Sequence, residues 1–351
     1  MPTGGISGYA AINARVRVMY STLFTQAQLT SLTETADLNG LLTFLKNTAY
    51  GPYLDRVKDK ELTPRRAVFQ LKSRLADANS TIIHNVPENT RPLVSKFYRI
   101  NEIDNLKAIL RGIITGASWN QIRFVLFPLG SMTVLPGQAM AEAGSVAAAL
   151  ELLRGTVYYD TLSFAMKRFT AEQNLFPLEV ALDLFYWRKL WEEVKQLSGD
   201  DRVQAMRIIG PLVDLNNLMW VIRYRVYHKL SEEELINYTL PFGYHVSDES
   251  IRAIAAGADM PSIVSQNYPE LADVEELFVS PRQGLPKLEI ELKRDVAEKC
   301  RAAFLGNPFH IGIPLAYLVL ADLEIQDLTM LIEAKSTQAQ IKDFRPLLLM
   351  G

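Results

Sequence analysis

Apolar residues recur at intervals of three and four along most of the chain. The pattern is clearest over Leu38–Leu45, Ala67–Ala78, Val146–Leu153, Leu178–Leu197 and Leu288–Phe304. That spacing draws one apolar stripe along a helix. No alternating run bounded by Asn-Gly or Asp-Gly is present, so hairpins are not indicated. The pattern predicts an all-α protein. The most apolar stretch, Phe304–Ala321, contains Asn307, Pro308, His310 and Pro314, and its unbroken part is only Ile311–Ala321. A membrane span needs ~20 apolar residues, so the segment reads as a helix buried in protein.

The pattern also repeats. Glu102–Arg111 recurs as Asp214–Arg223 and again as Glu324–Glu333, at spacings of 112 and 110 residues. Each copy opens on an acid, continues with an apolar residue, carries an amide or acid three positions on, and then has Leu. Ile103, Leu106, Leu110 and Ile113 form one helical stripe; Leu215, Leu218 and Ile222 form the second, and Ile325, Leu328 and Ile332 the third. Pro64, Pro177 and Pro286 precede their acids by 38, 37 and 38 residues, and each suits the first turn of a helix. Pro92-Leu93 and Pro314-Leu315 lie ten residues before theirs and are expected to start the long motif helix. In the second copy Gly210-Pro211 predicts a kink. Phe127–Gly130, Leu240–Gly243 and Phe344–Pro346 read as turns closing each copy.

A second motif opens the copies. Phe44–Tyr50 with Leu54 resembles Leu152–Tyr158 with Leu162, offset by 108, and a weak third counterpart lies near Ile254–Val264. Three helical units follow, 1–130, 131–245 and 246–351. A period near 110 is too long for tetratricopeptide or HEAT arrays. It points instead to three small helical subdomains around a common axis.

Within the repeats, Glu102/Asn105, Asp214/Asn217 and Glu324/Asp327 are pairs at i, i+3, so each pair shares a helix face. Two readings stand side by side. In one, equivalent polar pairs meet a partner; in the other, they are internal caps and inter-helix hydrogen bonds, as buried polar groups require. Arg111 and Arg223 share a repeat position that Glu333 takes in the third copy. Arg15 and Arg17 sit on a helical segment and suit a partner, a solvated face or a local salt bridge. Phe185–Trp187, Trp191 and Trp220 have the spacing of core aromatics.

Composition removes most chemistry. With 37 basic and 39 acidic residues the net charge is −2, not the footprint of a nucleic-acid binder. One cysteine, Cys300, excludes an internal disulfide framework, and the four histidines never pair at ligand spacing. Gly4-Gly5-Ile-Ser-Gly8 lacks the Lys-Ser/Thr of a phosphate loop, and Gly155-Thr156 falls in a helical turn. No signal peptide is indicated at the N-terminus. Catalytic residues, cofactors and metals are therefore expected to be none.

Taken in order, the motifs resemble a known family. They are Tyr9…Ala14-Arg15…Arg17, Asn47–Tyr50…Leu54, Glu102…Asn105-Leu106…Arg111 and Tyr317…Glu324–Leu328…Ile332. They are similar to the C subunit of the prokaryotic A-/V-type ATPases, related to the d subunit of the vacuolar ATPase. The likeness covers nearly the whole chain. It departs from the family pattern at Gln326 and Asp327, where a basic residue and Asn are expected. The resemblance implies a non-catalytic, funnel-shaped, all-helical protein of three subdomains about a pseudo-threefold axis. It implies a place on the cytoplasmic face of the membrane rotor ring, receiving the foot of the central stalk and coupling ATP turnover to ion movement. The implied partners are proteins of the rotor ring and the central stalk, with no nucleic acid and no direct bilayer span. From the residues alone, a generic helical scaffold and an all-helical enzyme with a central cavity stay open as alternatives.

Overall fold

The computed structural model of the chain describes residues 6–228 and 230–350, and every regular element among them is helical. The first stretch carries α1 (Ile6–Tyr20), α2 (Gln26–Thr33), α3 (Leu38–Lys46), α4 (Gly51–Leu54), α5 (Pro64–Asn85), α6 (Arg91–Tyr98), α7 (Ile100–Thr115) and α8 (Trp119–Ile122). Next come α9 (Gly137–Ala141), α10 (Val146–Glu151), α11 (Tyr159–Glu172), α12 (Phe176–Gln196) and α13 (Gly199–Arg223). Then follow α14 (Glu232–Asn237), α15 (Asp248–Ala255), α16 (Met260–Asn267), α17 (Val274–Val279), α18 (Pro281–Ala302), α19 (Gly312–Ser336) and α20 (Ile341–Phe344).

Packing divides the chain into two compact units. One is built from Met1–Phe44, Asn85–Thr90 and Val194–Gly351, the other from Leu45–His84 and Arg91–Glu193. In the first, α19 packs against α1, α13 and α18. A helix walled in on several sides must be apolar all round rather than along one stripe. Accordingly Leu315, Leu318, Leu320, Leu323, Leu328 and Leu331 are all buried. This is why Ile311–Ala321 is so apolar: its neighbours are helices of the same unit. Leu288, Leu292, Val296 and Cys300 form the buried stripe of α18, which also packs on α13 and α17.

In the second unit, α7 packs against α6, α8, α9 and α10. Ile103, Leu106, Ile109 and Leu110 are its core face, and Ala67, Leu71, Leu75, Ala78 and Ile82 are that of α5. Gly116 ends α7 in the left-handed region, φ +67°, where a side chain would be strained.

The helical periodicity and the five helices read from it agree with the structure, with differences in detail. Phe304–Ala321 is not one helix. Gly306 takes φ +87° and α19 begins only at Gly312. Pro64 and Pro177 do stand in the first turns of α5 and α12, but Pro286 lies inside α18 and Pro281 takes the first position instead. The lost amide of Pro286 leaves only one carbonyl without its helical donor. Pro211 likewise lies within α13, which runs on past it to Arg223 and into a π-helical turn, Tyr224–His228. The motif helix of the first copy is divided at Arg99 into α6 and α7, whereas in the third copy α19 is continuous. Phe344–Pro346 is not a simple turn; α20 ends there and a 3-10 turn, Arg345–Leu347, follows.

Candidate functional site

The six signature side chains are all buried, none more than 7% exposed. Each reaches from its helix to irregular backbone, where unpaired amides need acceptors. On α7, Glu102 Oε1 accepts the Val134 amide at 2.6 Å and the Thr133 hydroxyl at 2.8 Å. Its Oε2 accepts from the Arg99 guanidinium at 2.7 Å and from the Tyr158 hydroxyl. Asn105 holds both backbone groups of Phe127: Nδ2 donates to its carbonyl at 2.9 Å, and Oδ1 accepts its amide at 2.6 Å.

On α13 the same arrangement returns. Asp214 accepts the amides of Tyr244 at 2.6 Å and His245 at 2.7 Å. Asn217 holds both backbone groups of Leu240, at 2.9 and 2.8 Å. Gly243 lets this loop come close: a Cβ there would meet the Val246 carbonyl oxygen at 1.9 Å and Asp214 Oδ1 at 2.9 Å. On α19, Glu324 accepts the Phe24 amide at 2.5 Å, and Asp327 accepts the amides of Leu349 at 2.7 Å and Met350 at 2.9 Å.

Electrostatics follow from that burial. Desolvation pushes the Asp327 carboxyl up to about 6, against the pull of the two amides, Arg294 and Lys293. Asp214 is raised for the same reason, offset by its backbone donors. Burial raises the Tyr158 hydroxyl, and Glu102 beside it raises it further. A carboxylate that spends its lone pairs on amides has few left for an outside ligand.

The two arginines of the repeat are placed differently. Arg111 pairs with Glu179 of α12 at 2.6 Å, and Arg223 pairs with Glu289 of α18. Neither glutamate stands out in the sequence pattern, although the two lie 110 residues apart, nearly in step with the arginines. Basic side chains also serve helix ends. Arg225 donates to the carbonyls of Ile254 at 2.9 Å, Ala258 at 2.7 Å and Gly257 at 3.0 Å, beyond and within the last turn of α15. Lys335 donates to the carbonyls of Thr33 at 2.7 Å and Thr35 at the end of α2. Arg17 donates to the Phe304 carbonyl at 2.9 Å, and Arg15 is exposed.

The second motif has a local basis. Thr48 and Thr156 each donate to the carbonyl three residues back and accept the amide of Tyr50 or Tyr158. Both tyrosines are buried. Its third counterpart is better placed at Tyr268, 110 residues after Tyr158: it is buried and raised by desolvation and by nearby Asp214. Tyr186, Trp187 and Trp191 are core residues, with Arg188 and Lys189 on the exposed side of the same helix. Cys300 is buried and its thiol is raised by desolvation; His310 is buried and lowered by the same cause. Gly4 and Gly5 lie outside the described residues. Among the described residues no group of three or more His, Cys, Asp and Glu is placed to hold a metal ion.

Comparison with known proteins gives a consistent picture. Residues 12–344 match the family described as "ATP synthase (C/AC39) subunit". The C subunit of the A-type ATP synthase of Methanocaldococcus jannaschii is 26% identical over 349 residues, 98% of this chain and 87% of its own. That of Methanothermobacter thermautotrophicus is 23% identical over 332 residues, 93% and 84% of the two chains. That of Pyrococcus horikoshii is 23% identical over 343 residues, 95% and 89%.

Proposed function

The chain belongs to the ATP synthase (C/AC39) subunit family, and from that premise we propose that it is the non-catalytic coupling component of an A-/V-type ATPase. In this reading it links the central stalk to the membrane rotor ring, and its three sequence repeats form three subdomains. The observation that carries the reading is the likeness, along nearly the full chain, to the C subunits of A-type ATP synthases.

Physical features support it. A part that transmits torque needs stiffness. Here polar side chains tie loops to long helices, and ion pairs join α7 to α12 and α13 to α18. The signature acids are engaged with backbone amides rather than aimed into a shared cavity, which favours a structural over a catalytic use. No helix among the described residues is long and apolar enough to cross a membrane. Attachment at the cytoplasmic face would then run through protein surfaces, broad and mixed in polarity.

Pull-down with purified components tests this. The protein is expected to bind a detergent-solubilised rotor ring and, separately, the central-stalk proteins, while leaving protein-free anionic liposomes unbound in flotation. Binding to bare liposomes with no binding to ring or stalk would reject the assignment.

A further inference from the structure

The connection between α18 and α19, residues 303–311, is tied down by side chains of two other helices of the same unit. From α1, Asn13 Nδ2 donates to the carbonyls of Pro308 and His310, the second at 3.3 Å, and Arg17 reaches the Phe304 carbonyl. From the first turn of α13, Asp201 Oδ1 accepts the Ile311 amide at 2.9 Å together with the Tyr9 hydroxyl of α1 at 2.7 Å. His310 lies inside this cluster, 3% exposed, and its Nδ1 accepts the Gly312 amide at 3.1 Å.

Ile311 and Gly312 open α19, and the first amides of a helix have no acceptor within it. Asp201 caps one of them and His310 the other. An imidazole accepts at Nδ1 only when that nitrogen carries no proton, so the ring is neutral with its proton on Nε2. The fit is close: a Cβ on Gly312 would meet Nδ1 at 2.9 Å and the Gln204 Cβ of α13 at 2.9 Å. A second proton on the ring would set Nδ1–H against the Gly312 amide, donor against donor. It would also place a cation at the positive end of α19.

The groups that face the ring divide. Burial opposes protonation most; Asp200 and Asp201 of α13 and the Asn307 backbone favour it, and Arg207 of α13 opposes it, which leaves the imidazole below its ordinary 6.5. From α1 come Tyr9, raised by burial and donating to Asp201, and Arg17, bonded to the Phe304 carbonyl. At the end of α18, Arg301 turns to the Met350 carbonyl, and α19 carries no charged residue before Asp322.

We propose that His310 is an acid-released latch: the neutral ring caps α19 and holds residues 303–311 on α1 and α13, and protonation lets that connection open. A ring held below its ordinary value in the closed state stabilises closure above pH 6.5, and that contribution fades as pH falls. Once released, the ring titrates near its ordinary value. Between pH 7.5 and pH 5.5 the open form therefore gains several-fold, with a ceiling of about tenfold.

Hydrogen exchange on the full-length chain, corrected for the intrinsic pH dependence of amide chemistry, reads the latch. In wild type, protection of amides 309–312 is expected to fall by roughly threefold or more between pH 7.5 and pH 5.5. Amides 288–296 in the middle of α18 should hold theirs. His310→Asn keeps an acceptor, Oδ1, where Nδ1 stands but cannot titrate, and should show equal protection at both pH values. Nitrogen NMR of the wild-type imidazole should report a neutral ring protonated on Nε2 at pH 7.5. Wild-type protection that does not change with pH, a His310→Asn protein that loses protection as wild type does, or a ring protonated on Nδ1 at pH 7.5 would each overturn the proposal. If His310→Asn does not fold, the wild-type exchange and the imidazole signal decide together.

Discussion

Asn105, Asn217 and Asp327 occupy one position of the repeat, yet Asp327 has only acceptors. The two asparagines each donate to a carbonyl and accept an amide of a single residue. Asp327 instead accepts two successive amides, Leu349 and Met350. The departure of the third motif is thus matched by the backbone it meets. It also carries a pH signature. Burial holds the folded carboxyl at about 6, above its ordinary 3.8. Between those values the folded state binds a proton that the unfolded state does not, so this group's contribution to stability falls as pH rises. Below about pH 4 the penalty vanishes; above about pH 6 it is complete. Asp183, raised to about 6 by burial despite Lys107, adds to the same window. Removing one titrating group isolates its share. Urea unfolding of Asp327→Asn and wild type at pH 7 and pH 5 is expected to show the variant about 1 kcal/mol relatively more stable at pH 7. A difference independent of pH would assign the trend to other groups.

At the scale of elements, the close approach of loop to helix sets which substitutions are tolerated. Gly243→Ala brings a Cβ against the fixed Val246 carbonyl and Asp214. Its cost is expected at about 3 kcal/mol. Gly112→Ala meets the Ile122 side chain rather than backbone, and should cost about 1–2 kcal/mol. Thermal unfolding of the two variants checks the order; a Gly243→Ala protein as stable as wild type would show that the loop can yield. The Arg111–Glu179 pair joins two helices, but Arg111 is 61% exposed, so a double-mutant cycle should return only ~0.2–1 kcal/mol.

Much of this level was legible in the sequence. The period-3.6 stripes of α3, α5, α10, α12 and α18 and the acid–amide pairs are local patterns. The apolar character of α19 is not resolved by periodicity, because a helix enclosed on several sides has no polar face. The partners of the signature residues were also hidden. Glu102 meets Val134, and Glu324 meets Phe24, through backbone amides that leave no trace in residue type. Glu179 and Glu289 did leave a trace, a spacing close to that of the arginines they neutralise, and Tyr268 left a similar one. Pro286 misled because a buried, well-packed helix tolerates one missing hydrogen bond near its start.

For the whole molecule, the proposed reading is transmission rather than chemistry. The buried carboxylates are engaged by amides, Tyr158 and Arg99, and replacing one should be felt as lost stability. Glu102→Ala leaves the buried Tyr158 hydroxyl and the part-buried donors of Val134, Thr133 and Arg99 without their acceptor and is expected to cost about 2–3 kcal/mol by denaturant unfolding. A cost below about 1 kcal/mol would mean that these groups do not hold the fold. One reconstitution tests the proposed coupling directly. The ATPase complex is assembled in liposomes with and without this chain, and ATP hydrolysis and ion uptake are recorded together. The account predicts that without the chain hydrolysis continues while uptake is lost, and that adding the purified chain restores uptake. Ion uptake that proceeds undiminished in its absence would contradict it.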